Sequence, residues 1–163
     1  MKRNAIAASS LLLCFASTAH AQGVKETVEL TVTGGPNAGK YQASSERGGC
    51  SYGLAGPGSF GNQLSDPKNK DPKAFNSLQL VVPDAKKAAS GTAEFDLAIG
   101  FGPLMQRSAT YKVETTKGKH SGNGTVTIAD KGATATVKFS ATTAEGVKLD
   151  GTIDCKSVMR AGA

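Results

Sequence analysis

The sequence predicts an all-β fold: a single antiparallel β-sandwich or small barrel of about eight strands, with one short connecting helix and one disulfide. Two patterns predict it. Apolar and polar residues alternate with a period of two along most of the chain, as on strands that bury one face and leave the other in water. Glycine-rich turns interrupt these runs at short intervals, and Thr and Val, which favour strands, are abundant. Sandwiches and barrels require the same alternation, so both architectures stay open.

The alternation also predicts which residues of each strand face the core. In the first strand, apolar residues at 28, 30 and 32 alternate with polar residues at 27, 29, 31 and 33. The inward-facing residues predicted in this way are, in chain order, Val28, Leu30, Val32, Leu78, Leu80, Val82, Phe95, Leu97, Ile99, Phe101, Tyr111, Val113, Val126, Ile128, Ala135, Val137, Phe139, Val147, Leu149, Ile153 and Cys155.

Turn residues separate the strands. Glycines lie in the tight turns around residues 33–37, 130–132 and 144–146, where a backbone with positive φ is easiest for glycine. The last two turns read as hairpin connections. Residues 108–155 are therefore predicted to form a four-stranded antiparallel meander.

A single segment has helical features. Asp84 is placed to cap a helix over residues 85–89, and Gly91 follows just past its end. This helix has about two turns, so it is predicted to connect strands rather than to form part of the core.

The segment 48–75 has the least regular pattern. Six glycines fall within residues 48–61, and the tripeptide Asp-Pro-Lys occurs at 66–68 and again at 71–73. Long loops inside a compact domain are uncommon and often functional. We therefore expect a glycine-rich, Asp-Pro-Lys loop region here, within a single β-sandwich domain over residues 22–163.

The first 21 residues have the features of a secretory signal peptide. Lys2 and Arg3 precede an apolar stretch over residues 5–16, and Ala19 and Ala21 form a small-x-small cleavage site. Export by the general secretory route is expected, to the periplasm or the medium. Cleavage after Ala21 lowers the 19 basic residues to 17 against 13 acidic ones, a net charge of +4. No apolar run reaches the roughly 18 residues that a membrane span requires, so none is expected.

The mature chain keeps two of the three cysteines, Cys50 and Cys155. Two cysteines in an exported domain are most simply a disulfide, here across 105 positions. Closing a loop of that size stabilises a fold by about 4 to 5 kcal/mol in the chain-entropy model. Two free thiols or a metal pair are the alternatives. A metal pair would need further ligands, and His120 is the only histidine left.

The side chains that catalysis usually needs are scarce. His120 lies in a polar loop, and no Gly-x-Ser-x-Gly motif is present. Asp66, Asn69 and Asp71 lack the spacing of a calcium loop. We expect no catalytic residues, no metal and no cofactor. Carboxylates paired across strands are invisible in a sequence, so a carboxylate-dependent hydrolase of the cell envelope stays an alternative.

The leading hypothesis is an exported, non-catalytic protein that binds a protein or an anionic cell-envelope component. The candidate binding surface offers mixed apolar and cationic contact and comprises Tyr52, Phe60, Lys68, Lys70 and Lys73. Nucleic acid is not an expected partner, because stripes of aromatic and basic residues are missing. A structural or assembly protein of the cell surface is a further alternative, and the oligomeric state stays open.

Overall fold

Residues 23–161 are described by a computed structural model, and the predicted signal peptide of residues 1–21 lies outside them. Eleven strands and one short helix form within that range. Their bounds are β1 Glu26–Thr33, β2 Gly39–Ser45, β3 Gly48–Tyr52, β4 Phe60–Ser65, β5 Phe75–Val82, α1 Ala85–Ala88, β6 Asp96–Phe101, β7 Ala109–Glu114, β8 Asn123–Asp130, β9 Ala135–Thr142, β10 Lys148–Cys155 and β11 Val158–Arg160. No helix in the described range has the length and hydropathy that crossing a membrane requires.

The strands form two separate sheets, so the fold is sandwich-like. Five strands in the order β2-β1-β10-β9-β8 form one sheet, and six in the order β11-β3-β4-β5-β6-β7 form the other. All pairings are antiparallel except that of β11 with β3. The prediction of an all-β fold with one short helix is confirmed.

The core lies between the two sheets and is built by the predicted alternation. In β1, Val28, Leu30 and Val32 are at most 2% exposed, while Glu29 between them faces solvent. Burial of one such aliphatic side chain contributes about 1.5 to 3 kcal/mol. The largest fully buried apolar side chains come from both sheets and the segment before β6: Leu30, Phe60, Leu64, Leu78, Leu80, Phe95, Leu97, Ile99, Phe101, Leu149 and Ile153.

The predicted disulfide forms between Cys50 in β3 and Cys155 at the end of β10, with Cα atoms 5.9 Å apart. These strands belong to different sheets, so the bond joins the two layers covalently. Both residues are buried, Cys50 to 3% exposure and Cys155 to 0%. The bond is therefore part of the core.

The expectation of a long loop over residues 48–75 is wrong, because β3, β4 and the first residue of β5 lie in that segment. Glycine has no side chain, so a strand rich in glycine lacks the alternation of apolar and polar residues by which strands are recognised. Gly48 illustrates why glycine is needed. It has φ +91°, and a Cβ built there would lie 2.2 Å from the carbonyl oxygen of Gln63 in β4.

The four-stranded meander predicted for residues 108–155 is also wrong, because this segment contributes to both sheets. β7 is an edge of the six-stranded sheet, whereas β8, β9 and β10 are neighbours in the five-stranded sheet. The chain passes from one sheet to the other between β7 and β8. Apolar and polar residues alternate in the same way in both strands, so the pattern does not reveal this change of sheet. The hairpins around Gly132 and Gly146 form as predicted, with φ near +80° at both glycines.

The short helix forms where the capping residues predict it. The backbone N–H of Lys87 donates to Asp84 Oδ1 at 3.0 Å, which is the hydrogen bond of an N-cap. Ala85 and Ala88 are buried, and Gly91 follows with φ +99°. The helix packs against the edge strand β8.

Candidate functional site

The five residues predicted to form one binding surface lie at opposite ends of β4. Tyr52 pairs in register with Phe60, the first residue of β4. Lys68, Lys70 and Lys73 lie in the connection that follows the other end of the strand. Five residue steps along a strand span about 17 Å, so the aromatic pair and the three lysines lie well apart.

Phe60 cannot offer an apolar contact to a ligand. Its side chain is 0% exposed, and its ring packs edge to face against Tyr52, with ring centroids 5.2 Å apart. It lies on the inward side of β4, opposite Val82 of β5. The prediction that Phe60 belongs to a surface is therefore wrong, and its role is to fill the core.

Tyr52 belongs to a polar cluster that includes Arg160 and Asp130. The guanidinium of Arg160 lies over the Tyr52 ring and donates to Asp130 Oδ1 at 2.6 Å. Burial, followed by the charge of Asp130, raises the pKa of Tyr52 to about 12. Burial alone would raise the pKa of Asp130, but hydrogen bonds from Gly132 N–H and Arg160 lower it below its ordinary value. This cluster fastens β11 to β3 and leaves Tyr52 little freedom to meet a ligand.

The connection that carries the three lysines is shaped by its own side chains. Asp66 Oδ1 accepts from the backbone N–H groups of Lys68 and Asn69 at 3.0 and 3.3 Å, and Asp71 Oδ1 accepts from that of Lys73 at 2.8 Å. These carboxylate oxygens serve the backbone, as in Asx-turns. Within residues 23–161 no group of three or more His, Cys, Asp or Glu side chains is placed to hold a metal ion.

The outward side of β3 to β7 forms a broad open surface, which we call the trough. Gly49, Gln63, Gln79, Ala98 and Lys112 lie opposite one another on five successive strands and form its central row. Three depressions open on this side, of about 460, 360 and 220 Å³, and Gln79 lines all three. The six-stranded sheet is about 24 Å wide, so the trough can hold an extended ligand.

Small side chains keep the trough open. Gly61 and Ala98 stand on either side of β5, and Gly100 lies in β6. A Cβ built on Gly100 would lie 3.0 Å from Nε of Arg107, so the absence of a side chain lets the arginine lie on the sheet. Arg107 belongs to the connection between β6 and β7 and lines two of the three depressions.

The two ends of the trough differ in chemistry. At the β11 end, Leu54 and Met159 are each 64% exposed and line the largest depression, whose lining also includes Lys25. At the β7 end the lining is charged and includes Arg107 and Lys112. Among the described residues no carboxylate lies within ion-pair distance of either cation.

Two carboxylates do come together at the β7 end. Asp96 of β6 and Glu114 of β7 are directly opposite, and Lys119 Nζ lies 3.2 Å from Asp96 Oδ2 and 3.5 Å from Glu114 Oε1. The Thr116 hydroxyl donates to Asp96 at 2.9 Å. Hydrogen bonding to Asp96 raises the pKa of Lys119 above its ordinary value. The ammonium group is thus fixed between the two carboxylates.

His120 is exposed in the connection between β7 and β8, as the sequence predicts for a polar loop. Within residues 23–161 it forms no ion pair with a carboxylate, so no acid orients its ring. A catalytic histidine normally has such a partner. The geometry therefore gives His120 no catalytic setting of that kind.

Sequence reasoning missed the residues that line the trough. Gln63 and Gln79 are polar residues at outward strand positions, which is the ordinary pattern for a solvated face. Only the strand register shows that they stand side by side and that Arg107 lies close by. The one available signal was the small residues at outward positions, such as Gly61 and Ala98.

Comparisons of the chain with protein-family models, with curated proteins and with solved structures found no match. The case for a function therefore rests on the trough and its neighbouring residues.

Proposed function

We propose that this protein is an exported, non-catalytic binding protein that holds an anionic cell-envelope component in the trough. The observation that carries the proposal is that three depressions lie side by side around Gln79, on a sheet face where small residues leave room for a ligand. The amides of Gln63 and Gln79 offer both donors and acceptors there. Export is supported by the signal-peptide pattern and by the disulfide, which persists in oxidising compartments.

The charge at the β7 end supports an anionic ligand. Lys119 is engaged by Asp96 and Glu114, whereas Arg107 and Lys112 have no acidic partner among the described residues. A guanidinium group matches phosphate and carboxylate geometry with paired hydrogen bonds. A ligand with anionic groups at one end and apolar groups at the other also fits Leu54 and Met159 at the opposite end.

A charge-removal experiment tests this proposal. Mature protein is titrated calorimetrically with an acidic polysaccharide and, separately, with anionic phospholipid vesicles, since either source can supply the anion. We expect binding to one of them, and the double substitution Arg107→Gln with Lys112→Gln to weaken it at least tenfold at low salt. The matched control removes the same number of charges through Lys40→Gln with Lys138→Gln, two exposed lysines of β2 and β9 in the other sheet.

The control variant is expected to bind like the unmodified protein. Equal weakening by the control pair would mean that only overall charge matters, which contradicts a site in the trough. Failure to bind both the polysaccharide and the vesicles would contradict the anionic ligand.

A second candidate function is a carboxylate-dependent hydrolase, favoured by the juxtaposition of Asp96 and Glu114. Lys119 Nζ lies within 3.5 Å of an oxygen of each carboxylate, so the two carboxyl groups are at most about 7 Å apart, within the range of separations found in glycosidases. Lys119 stands between these carboxylates and lines the same depression. Activity on chromogenic glycosides that disappears in both Asp96→Asn and Glu114→Gln would support this function and contradict the non-catalytic one.

A further inference from the structure

A carboxyl group is buried between the two sheets beside the disulfide. Glu26 is the first residue of β1, and its side chain is 0% exposed. In register it stands opposite Cys155 of β10 and Ser45 of β2. An ionised carboxylate without a cationic partner is costly in such a place, so its protonation state affects the stability of the fold.

The Glu26 carboxyl makes one hydrogen bond, to an amide of the opposite sheet. Asn62 of β4 donates through Nδ2 to Glu26 Oε2, and the same Nδ2 lies 3.3 Å from Cys50 Sγ. Within residues 23–161, the remaining oxygen of each side chain, Glu26 Oε1 and Asn62 Oδ1, has no hydrogen-bond partner. They belong to the two groups that already share a hydrogen bond.

One proton can satisfy both atoms. A protonated carboxyl has an O–H donor, and a carboxylic acid and a primary amide form a cyclic pair with two hydrogen bonds. In that pair the Glu26 O–H donates to Asn62 Oδ1 while Asn62 Nδ2 donates to the other carboxyl oxygen. A charged carboxylate offers no donor, so two buried acceptors would stay unpaired.

We propose that Glu26 is held as a neutral acid in the folded protein and forms this cyclic pair with Asn62, which makes the contact a pH-sensitive latch between the two sheets. The latch stands beside the Cys50–Cys155 bond, so the same end of the sandwich is closed by one covalent and one proton-dependent link. Loss of the Glu26 proton breaks the hydrogen bond to Asn62 Oδ1 and leaves the disulfide intact.

Among the described residues, no cationic side chain lies within ion-pair distance of Glu26. The residues that stand opposite or close to it are Ser45 of β2, Cys155 of β10, Gly48 of β3 and Asn62 of β4. None of these titrates, because Cys155 is disulfide-bonded. The charged residues adjoining this end of β1, β2 and β10, Lys25, Glu46, Arg47 and Lys156, are exposed, and Asp154 is ion-paired with Lys156.

Burial raises the pKa of Glu26 from 4.5 to about 7, although the hydrogen bond from Asn62 acts to lower it. The folded pKa exceeds the unfolded one, so protonation favours the folded state. The contribution to stability is fully present below pH 4.5 and is lost as the pH rises through about 7. Deprotonation at higher pH therefore weakens the latch.

Glu26→Gln tests the latch, because a glutamine amide keeps both hydrogen bonds at every pH. The unfolding equilibrium is measured in urea by circular dichroism between pH 4 and pH 9. We expect the two proteins to differ little at pH 4, and the unmodified protein to lose on the order of a hundredfold in folding constant relative to the variant by pH 9. The control is Glu29→Gln, an exposed glutamate of the same strand, which is expected to show no such pH-dependent difference.

A direct titration tests the protonation state of Glu26 without any substitution. In the unmodified protein labelled with ¹³C at the glutamate carboxyls, the Glu26 resonance should shift near neutral pH. A Glu26 resonance that titrates below pH 5 overturns the proposal. A pH-independent difference between the unmodified protein and Glu26→Gln also overturns it.

Discussion

The guanidinium carbon of Arg160 lies 4.5 Å from the centre of the Tyr52 ring, in a cation–π contact that fastens the last strand to the sandwich. The same guanidinium donates to Asp130 Oδ1 at 2.6 Å and to the Gly132 carbonyl at 2.7 Å. β11 has only three residues and pairs in parallel with β3. A strand this short depends on such side-chain contacts for its order.

Replacement of Arg160 by alanine is expected to free β11. Loss of the cation–π contact and of the partly exposed ion pair should lower the free energy of unfolding by about 1 kcal/mol. Amide hydrogen exchange at 158–160 should accelerate more than in β4 or β5. Arg160→Lys keeps the charge but loses the planar fork, so an intermediate effect is expected. Unchanged exchange in the alanine variant would show that the backbone pairing alone holds the strand.

The disulfide is expected to carry a large share of the stability. Removal of both sulfur atoms by Cys50→Ala with Cys155→Ala frees a loop of 105 positions in the unfolded chain. The chain-entropy model gives a loss of about 4 to 5 kcal/mol, measured as a lower urea midpoint. Non-reducing mass spectrometry of the mature protein should show the linked peptides. Free thiols at both positions in the untreated protein would contradict the account.

Two glycines have positive φ, but a side chain at only one of them would also collide with a neighbouring strand. Gly48 has φ +91° and Gly58 has φ +79°. A Cβ built on Gly48 would lie 2.2 Å from the Gln63 carbonyl oxygen, whereas a Cβ built on Gly58 would have no neighbour within 4 Å. Gly58→Ala should cost about 1 kcal/mol from backbone strain alone. Gly48→Ala should cost clearly more in the same urea titration, because β3 and β4 must separate. Equal losses in the two variants would contradict the close contact between these strands.

The sequence predicted those parts of the fold that depend on the type and spacing of neighbouring residues. Val28, Leu30 and Val32 lie in the core as their spacing indicates, and Asp84 caps the helix as its position indicates. The disulfide followed from a count of two cysteines in the chain left after the predicted signal peptide. These features depend on local sequence or on composition, so they can be predicted without knowledge of the strand order.

Strand order and register were not predictable in this way. β2 is an edge strand with few apolar residues, and β3 begins with two glycines, so neither shows clear alternation. The trough depends on register, because it forms only when Gln63 and Gln79 stand side by side. The burial of Glu26 departs from the pattern, since an ionisable residue occupies an inward position.

The most direct test of the account is to map ligand contacts on the mature protein by ¹H–¹⁵N nuclear magnetic resonance while titrating the anionic probe that binds. The trough predicts that the amide signals of Gln63, Gln79, Ala98 and Lys112 shift together and saturate at one ligand concentration. Ala98→Tyr, which fills the trough, should abolish these shifts, and Thr152→Tyr on the opposite sheet should preserve them. Shifts confined to residues 66–74, or to the outer face of the five-stranded sheet, would contradict a binding site in the trough.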